Sequence, residues 1–140
     1  MARVLAIDYG QKRVGVAVTD DLQIIASGLT TVHVKDIITF LEDYLTKYEV
    51  ETIVVGLAID LKNQPAQSAR FIEPFVKHIT KKFPMITIER IDERFTSKMA
   101  FQTMIDGGLK KKARQNKSLV DQISATIILQ SYLEQKKGSI

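Results

Sequence analysis

Residues 3–19 read RVLAIDYGQKRVGVAVT, and their patterning decides the fold. Residues 3–8 (RVLAID) are an apolar run of strand length that closes on an acid, Asp8. Residues 13–19 (RVGVAVT) alternate as a second strand, with Gly15 a soft spot in it. Between them, Tyr9-Gly10-Gln11-Lys12 is short enough for a hairpin. Residues 23–32 continue as a third strand, bent around Ser27-Gly28. Three sequential strands on short connections predict an antiparallel meander.

The pattern then changes period. Ile37, Ile38, Leu41, Tyr44, Leu45 and Tyr48 fall at helical spacing and predict a helix over 35–48. Residues 52–57 (TIVVGL) are continuously apolar, as in a strand buried on both faces. Phe71, Phe75, Val76 and Ile79 mark a helix over 66–82, and residues 85–91 (MITIERI) a fifth strand. A short helix over 96–105 stops at Gly107-Gly108, and residues 106–117 are basic and loop-like. The last helix spans 118–134, with Ser118 as N-cap and Asp121 at the third position of a capping box. The order βββαβαβαα predicts an α/β fold: a five-stranded mixed sheet, three strands antiparallel and the rest parallel, with helices on both faces.

Composition limits what such a domain can do. A length of 140 residues suits one domain over 1–140. Without cysteine, disulfides, thiolate catalysis and Cys-based zinc sites are excluded. His33 and His78 lie 45 positions apart without ligand-like neighbours, which fits surface or packing roles better than a triad or a His-rich metal site. No apolar run reaches the roughly 20 residues of a membrane span. Met-Ala-Arg leads directly into a strand instead of a signal-peptide core, so a soluble cytoplasmic protein without a membrane partner is expected. A net charge of +4 permits a polyanionic partner without demanding one.

Three acidic positions stand out by placement. Asp8 ends the first strand, Asp92 and Glu93 end the fifth, and Asp121 opens the last helix. Functional groups gather at one end of the central strands of such sheets. Carboxylates converging there need positive compensation. Mg²⁺ accepts oxygen ligands, and a pair of such ions roughly 3.5–4 Å apart would support phosphodiester hydrolysis. Singly, each acid has an ordinary role: Asp8 before a turn, Asp121 as a cap, and Asp92 or Glu93 paired with Arg90 or Arg94.

The stretch Ile7-Asp8-Tyr9-Gly10-Gln11-Lys12-Arg13-Val14-Gly15-Val16-Ala17 resembles the opening of the YqgF-type proteins, pre-16S rRNA nucleases also described as Holliday junction resolvase-like. The similarity continues through Val54-Val55-Gly56-Leu57 and Ile91-Asp92-Glu93-Arg94-Phe95-Thr96-Ser97 with Ala100. It ends at Val120-Asp121 and the Ile127-Ile128-Leu129 helix, so it covers nearly the whole chain. It implies an RNase H-like fold and a two-metal nuclease site formed by Asp8, Glu93 and Asp121 with Mg²⁺ or Mn²⁺, Asp92 being a less certain neighbour. The proline usual after Gly-Leu is Ala58 here, and Asp60-Leu61-Lys62-Asn63-Gln64 replaces a small glycine-bearing loop.

Basic residues extend this reading. Lys110, Lys111, Lys112, Arg114 and Lys117 precede Asp121 and could hold phosphates or simply form a solvated face. Arg13 and Arg94 neighbour the acids and could contact the nucleic acid or balance charge, and Tyr9 could stack on a base or pack beside the turn. The substrate implied is structured RNA (pre-16S rRNA) or branched DNA, cut by a monomer or, for paired cuts, a homodimer. Two other classes compete. Asp8, Gly10 and Gly15 also resemble the phosphate hairpin of sugar kinases and actin-like ATPases, which need two lobes. A non-catalytic nucleic-acid-binding module would have no use for acids facing phosphates.

Overall fold

The computed structural model describes residues 2–10, 12–57, 69–92 and 117–138. Strand β1 (Arg3–Tyr9) pairs antiparallel with β2 (Arg13–Thr19), and β2 pairs antiparallel with β3 (Ala26–His33). The first turn is closed by the Gly10 amide donating to the Arg13 carbonyl at 2.9 Å. A 3-10 turn, Val34–Asp36, leads into α1 (Ile37–Lys47). Parallel strands β4 (Val50–Leu57) and β5 (Thr87–Asp92) follow, with α2 (Ala69–Lys82) between them. Helix α3 (Lys117–Gly138) ends the described chain. The sheet order is β3-β2-β1-β4-β5, which puts β1 at the centre, beside β4.

Strand alternation divides β1 between two cores. Leu5 and Ile7 face a core shared with Ile37 and Leu41 of α1 and Ile72, Phe75 and Ile79 of α2. Val4 and Ala6 face the other side, with Ala17, Val54, Ile91 and the α3 residues Ala125, Ile128 and Leu129. Residues on both sides of β1 and β4 are fully buried, as their unbroken apolar runs require. The second core includes three small side chains, Ala6, Ala17 and Ala125, which let the backbone of α3 approach the sheet. Near the start of β1 the pairing with β4 shifts register between Arg3 and Val4, and the Val4 amide there donates to the buried Thr19 hydroxyl at 2.9 Å.

Several sequence expectations need adjustment. The third strand begins at Ala26 instead of residue 23. Residues before it form a turn in which the Asp20 carboxylate accepts from the Ile24 and Ile25 amides at 2.8 and 3.1 Å. Its irregularity falls at Leu29: Val16 pairs with Thr30 and Ala17 with Gly28, leaving Leu29 as the extra residue of a bulge. Helix α3 begins at Lys117, so Ser118 lies inside it and is no N-cap, and Asp121 lies beyond its first turn. Lys117 is accordingly helical and not part of a loop. The predicted helix over 96–105 and the basic residues Lys110, Lys111, Lys112 and Arg114 lie outside the described residues, as do Ala58 and Asp60 to Gln64. Among the described residues, no helix is long and apolar enough to cross a membrane.

Candidate active site

Parallel strands β1, β4 and β5 deliver their C-terminal ends to one edge of the sheet, at Tyr9, Leu57 and Asp92. Asp8 is the penultimate residue of β1 and partly exposed. By alternation with Val4 and Ala6 it belongs to the face covered by α3. Its antiparallel partner is Gly15, so a side chain at position 15 would rise on that same face.

Asp121 occupies the space such a side chain would need. A β-carbon on Gly15 would lie 2.6 Å from the Asp121 carbonyl carbon and 3.1 Å from its Cβ. The glycine therefore acts as a seat: it lets the main chain of α3 rest on β2 beside Asp8. Directly paired cross-strand Cβ positions are separated by roughly 4.5–5.5 Å, so the Cβ atoms of Asp8 and Asp121 are at most about 9 Å apart. The seat continues outward, where a β-carbon on Gly28 would meet the Cβ of Gln122 at 3.2 Å and Thr126 Oγ1 at 3.4 Å. Sequence reasoning noticed Gly15 as a weak point in a strand. The available signal, that a strand glycine often marks a close backbone approach, did not say whose backbone.

Arg13 completes the described cluster. Its Nε donates to Asp121 Oδ2 at 2.8 Å, joining the start of β2 to α3 across 108 positions. The two residues, with Gly10 and Lys12, line a cleft of about 310 Å³. Arg13 thus balances an acid here, one of the two roles open to it from sequence. Glu93 and Arg94 lie outside the described residues, so of the three acids expected to converge the structure describes Asp8 and Asp121, which share one face at the sheet edge. Among the described residues, no group of three acids or imidazoles forms a metal-binding cluster. The two carboxylates nonetheless suit a hard cation: they are oxygen donors on one face, and one of them already holds a positive group.

Other residues depart from their sequence readings. Tyr9 turns to the opposite face and stacks on Phe75 with ring centroids 4.4 Å apart, so it packs against α2 instead of offering a ring to a base. Burial there pushes its phenol up from the ordinary value. Among the described residues, Arg90 pairs with Glu73. Alternation along β5 aims it at α2, where Nη1 donates to Glu73 at 2.8 Å. Its other nitrogens reach the carbonyls of Val55 and Gly56 at 3.3 Å each, tying down the end of β4. This arginine clamp at the site edge has no sequence signature, because all three partners come from other elements. His33 accepts from the Lys35 amide at 3.1 Å through Nδ1, and His78 is exposed, so both sit at the surface.

Comparison with known proteins covers almost the whole chain. The family model RuvX, described as Holliday junction resolvase, matches residues 2–135. The "Putative pre-16S rRNA nuclease" of Flavobacterium psychrophilum is 61% identical over 97% of this chain and 99% of that protein. A protein of the same name from Phocaeicola vulgatus is 61% identical over 98% of this chain and 99% of its own. Among solved structures, the Fowlpox virus resolvase in complex with substrate Holliday junction DNA aligns with a TM-score of 0.57 at 15% identity, covering 95% of this chain and 97% of that one. T. thermophilus RuvC in complex with a Holliday junction substrate aligns at 0.55 and 18% identity, covering 91% and 92%. The fold is RNase H-like, as the resemblance to the YqgF-type proteins implied, and its sheet is mixed, as the meander followed by parallel strands predicted.

Proposed function

The chain belongs to the RuvX family, and from that premise we propose that it is a divalent-metal-dependent nuclease whose substrate is the 5′ end of pre-16S rRNA. The observation that carries this reading is the seating of Asp121 over Gly15, which sets a second carboxylate beside Asp8 at the C-terminal edge of the parallel strands. The names of the close relatives supply the substrate.

In this reading Asp8, Glu93 and Asp121 hold Mg²⁺ or Mn²⁺. Glu93 follows directly on the described end of β5, whose last pair is Leu57 with Asp92. When bound, such ions activate a water and stabilise the leaving oxygen of a phosphodiester. The remaining work falls to the chain. Asp8 and Asp121 supply oxygen donors, and the core under α3 packs that helix against β1 and β2. Lys12 and Arg13 make the adjoining cleft attractive to phosphate. Lys110, Lys111, Lys112, Arg114 and Lys117 would extend that attraction along the nucleic acid, as would Arg94, which follows Glu93 in sequence. We place this single domain, residues 1–140, in the cytoplasm.

A second reading, cleavage of branched DNA, is favoured by the description of the family model. It requires two cuts and therefore a homodimer, whereas rRNA trimming needs only a monomer. The kinase-like reading loses its footing at Gly15, which is covered by Asp121 and so is not free to approach a nucleotide phosphate.

Purified protein incubated with precursor rRNA and with four-way DNA junctions, each with Mg²⁺, Mn²⁺ or EDTA, tests the assignment. Cleavage of rRNA that EDTA abolishes is expected. Asp8→Asn should fold normally and cut nothing, because it removes a charged donor with little change of shape. An Asp8→Asn protein that cuts at the parental rate would overturn the metal-site reading, and equal binding with no cleavage in any metal would leave a binding module.

A further inference from the structure

Arg13 lies within the carboxylate cluster, where a metal ion and a phosphate would both compete for its surroundings. Its bond to Asp121 runs through Nε, and its side chain is 41% exposed against 21% for Asp121. An ion pair so open to water is weak enough for a divalent ion to displace. The main chain of Asp121 rests on Gly15, so the carboxylate can change partner by side-chain rotation while the helix stays in place. The cleft that Arg13 shares with Lys12 and Gly10 is open beside it.

We propose that Arg13 is a stand-in cation. It holds the Asp121 carboxylate in the metal-free protein, yields it when the divalent ion loads, and turns its freed guanidinium to a phosphate of the nucleic acid in the cleft beside Lys12. The exchange rests on the nuclease reading above. The Asp121 carboxylate already takes a positive partner in Arg13, at 2.8 Å, where an ion bound between it and Asp8 would supply one. Arginine suits both stages, because its fork of N–H donors fits a carboxylate or a phosphate equally. Metal loading would thereby create a substrate contact, so that the protein grips nucleic acid best when it is able to cut. A permanent structural pair is the alternative, and it predicts that Arg13 never leaves Asp121.

Amide and guanidinium NMR on the full chain separates the two. The Arg13 Nε–H signal, assigned by its loss in Arg13→Lys, should be distinct in metal-free protein and collapse toward the solvent-exposed position as Mg²⁺ is added. The Asp121 amide should shift over the same titration. An Asp121 amide that shifts while the Arg13 signal stays in place would overturn the exchange and leave the nuclease reading intact. A protein in which Mg²⁺ moves neither signal would refute that reading and the exchange with it. Independently, Arg13→Gln should bind Mn²⁺ about two- to fivefold more tightly than the parent, since the ion no longer displaces a guanidinium. Arg13→Lys serves as the second variant and should fall between; equal or weaker binding by both counts against the proposal. With Ca²⁺ present, the slope of log affinity for a precursor-rRNA fragment against log salt should fall in magnitude by about 0.7–0.9 in Arg13→Gln. An unchanged slope would remove the phosphate contact.

Discussion

Replacing Gly15 by alanine adds one methyl group at the point where α3 meets the sheet. The new β-carbon would lie 2.6 Å from the Asp121 carbonyl carbon, where ordinary contact begins at 3.4 Å. Helix α3 must therefore retreat by about 1 Å, because the obstructing atoms are main chain and cannot rotate away. Overpacking of this kind costs about 1–3 kcal/mol, which for a chain of this length lowers Tm by roughly 3–10 °C. The same retreat carries Asp121 away from Asp8, and a displacement of about 1 Å at a reacting centre costs on the order of 100-fold in rate. Gly28→Ala is the matched control on the same helix. Its β-carbon would meet Gln122 Cβ at 3.2 Å and Thr126 Oγ1 at 3.4 Å, so the helix need yield by only a few tenths of an ångström. Thermal unfolding by circular dichroism, with cleavage of precursor rRNA measured well below Tm, should show a large double effect for Gly15→Ala and a change below about 1 kcal/mol for Gly28→Ala. If Gly15→Ala unfolds within a degree of the parent and cuts at the parental rate, Gly15 is not the seat of Asp121.

Two further outcomes are expected. Replacing Lys111, Lys112 and Arg114 together by alanine should weaken nucleic-acid binding and flatten its salt dependence by about 0.7–0.9 per lost phosphate contact; an unchanged affinity and slope in a filter-binding titration would reduce the run to a solvated face. Asp20→Ala should lower the urea midpoint near neutral pH, since the amides of Ile25 and Ile24 hold the Asp20 carboxyl below its ordinary value of 3.8. A folded-state pKa depressed in this way stabilises above that value and is lost as pH falls through the folded pKa. The gap between parent and variant should close on acidification below pH 3.8; a gap that stays constant in a urea series from neutral to acid pH would refute the cap.

Most of the architecture was legible because hydrophobic periodicity is a local property. The unbroken run of residues 52–57 read as a strand buried on both faces, and residues 13–19 as a strand joined to residues 3–8 by a connection suited to a hairpin; the pairing bears both out. Asp8 and Asp121 drew notice from the sequence because each is an acid near the end of an element and each matches a family motif. Element ends were less legible. The third strand starts late because Asp20 captures two amides for a turn, and Asp121 lies deeper in α3 than a capping box would place it.

What the sequence determined by itself was a set of elements, their order and a short list of acids. The tertiary structure decided which groups meet. Tyr9 and Asp8 are adjacent in sequence, yet one packs on Phe75 under α2 and the other faces α3, because successive strand residues point to opposite sides. Arg13 meets Asp121 across 108 positions only because Ala6, Ala17, Ala125 and above all Gly15 let α3 lie close to the sheet. That proximity depends on the rotation of a helix about its axis and on its height above the strands. Both are set by packing between residues far apart in the chain, which periodicity within any one segment does not encode.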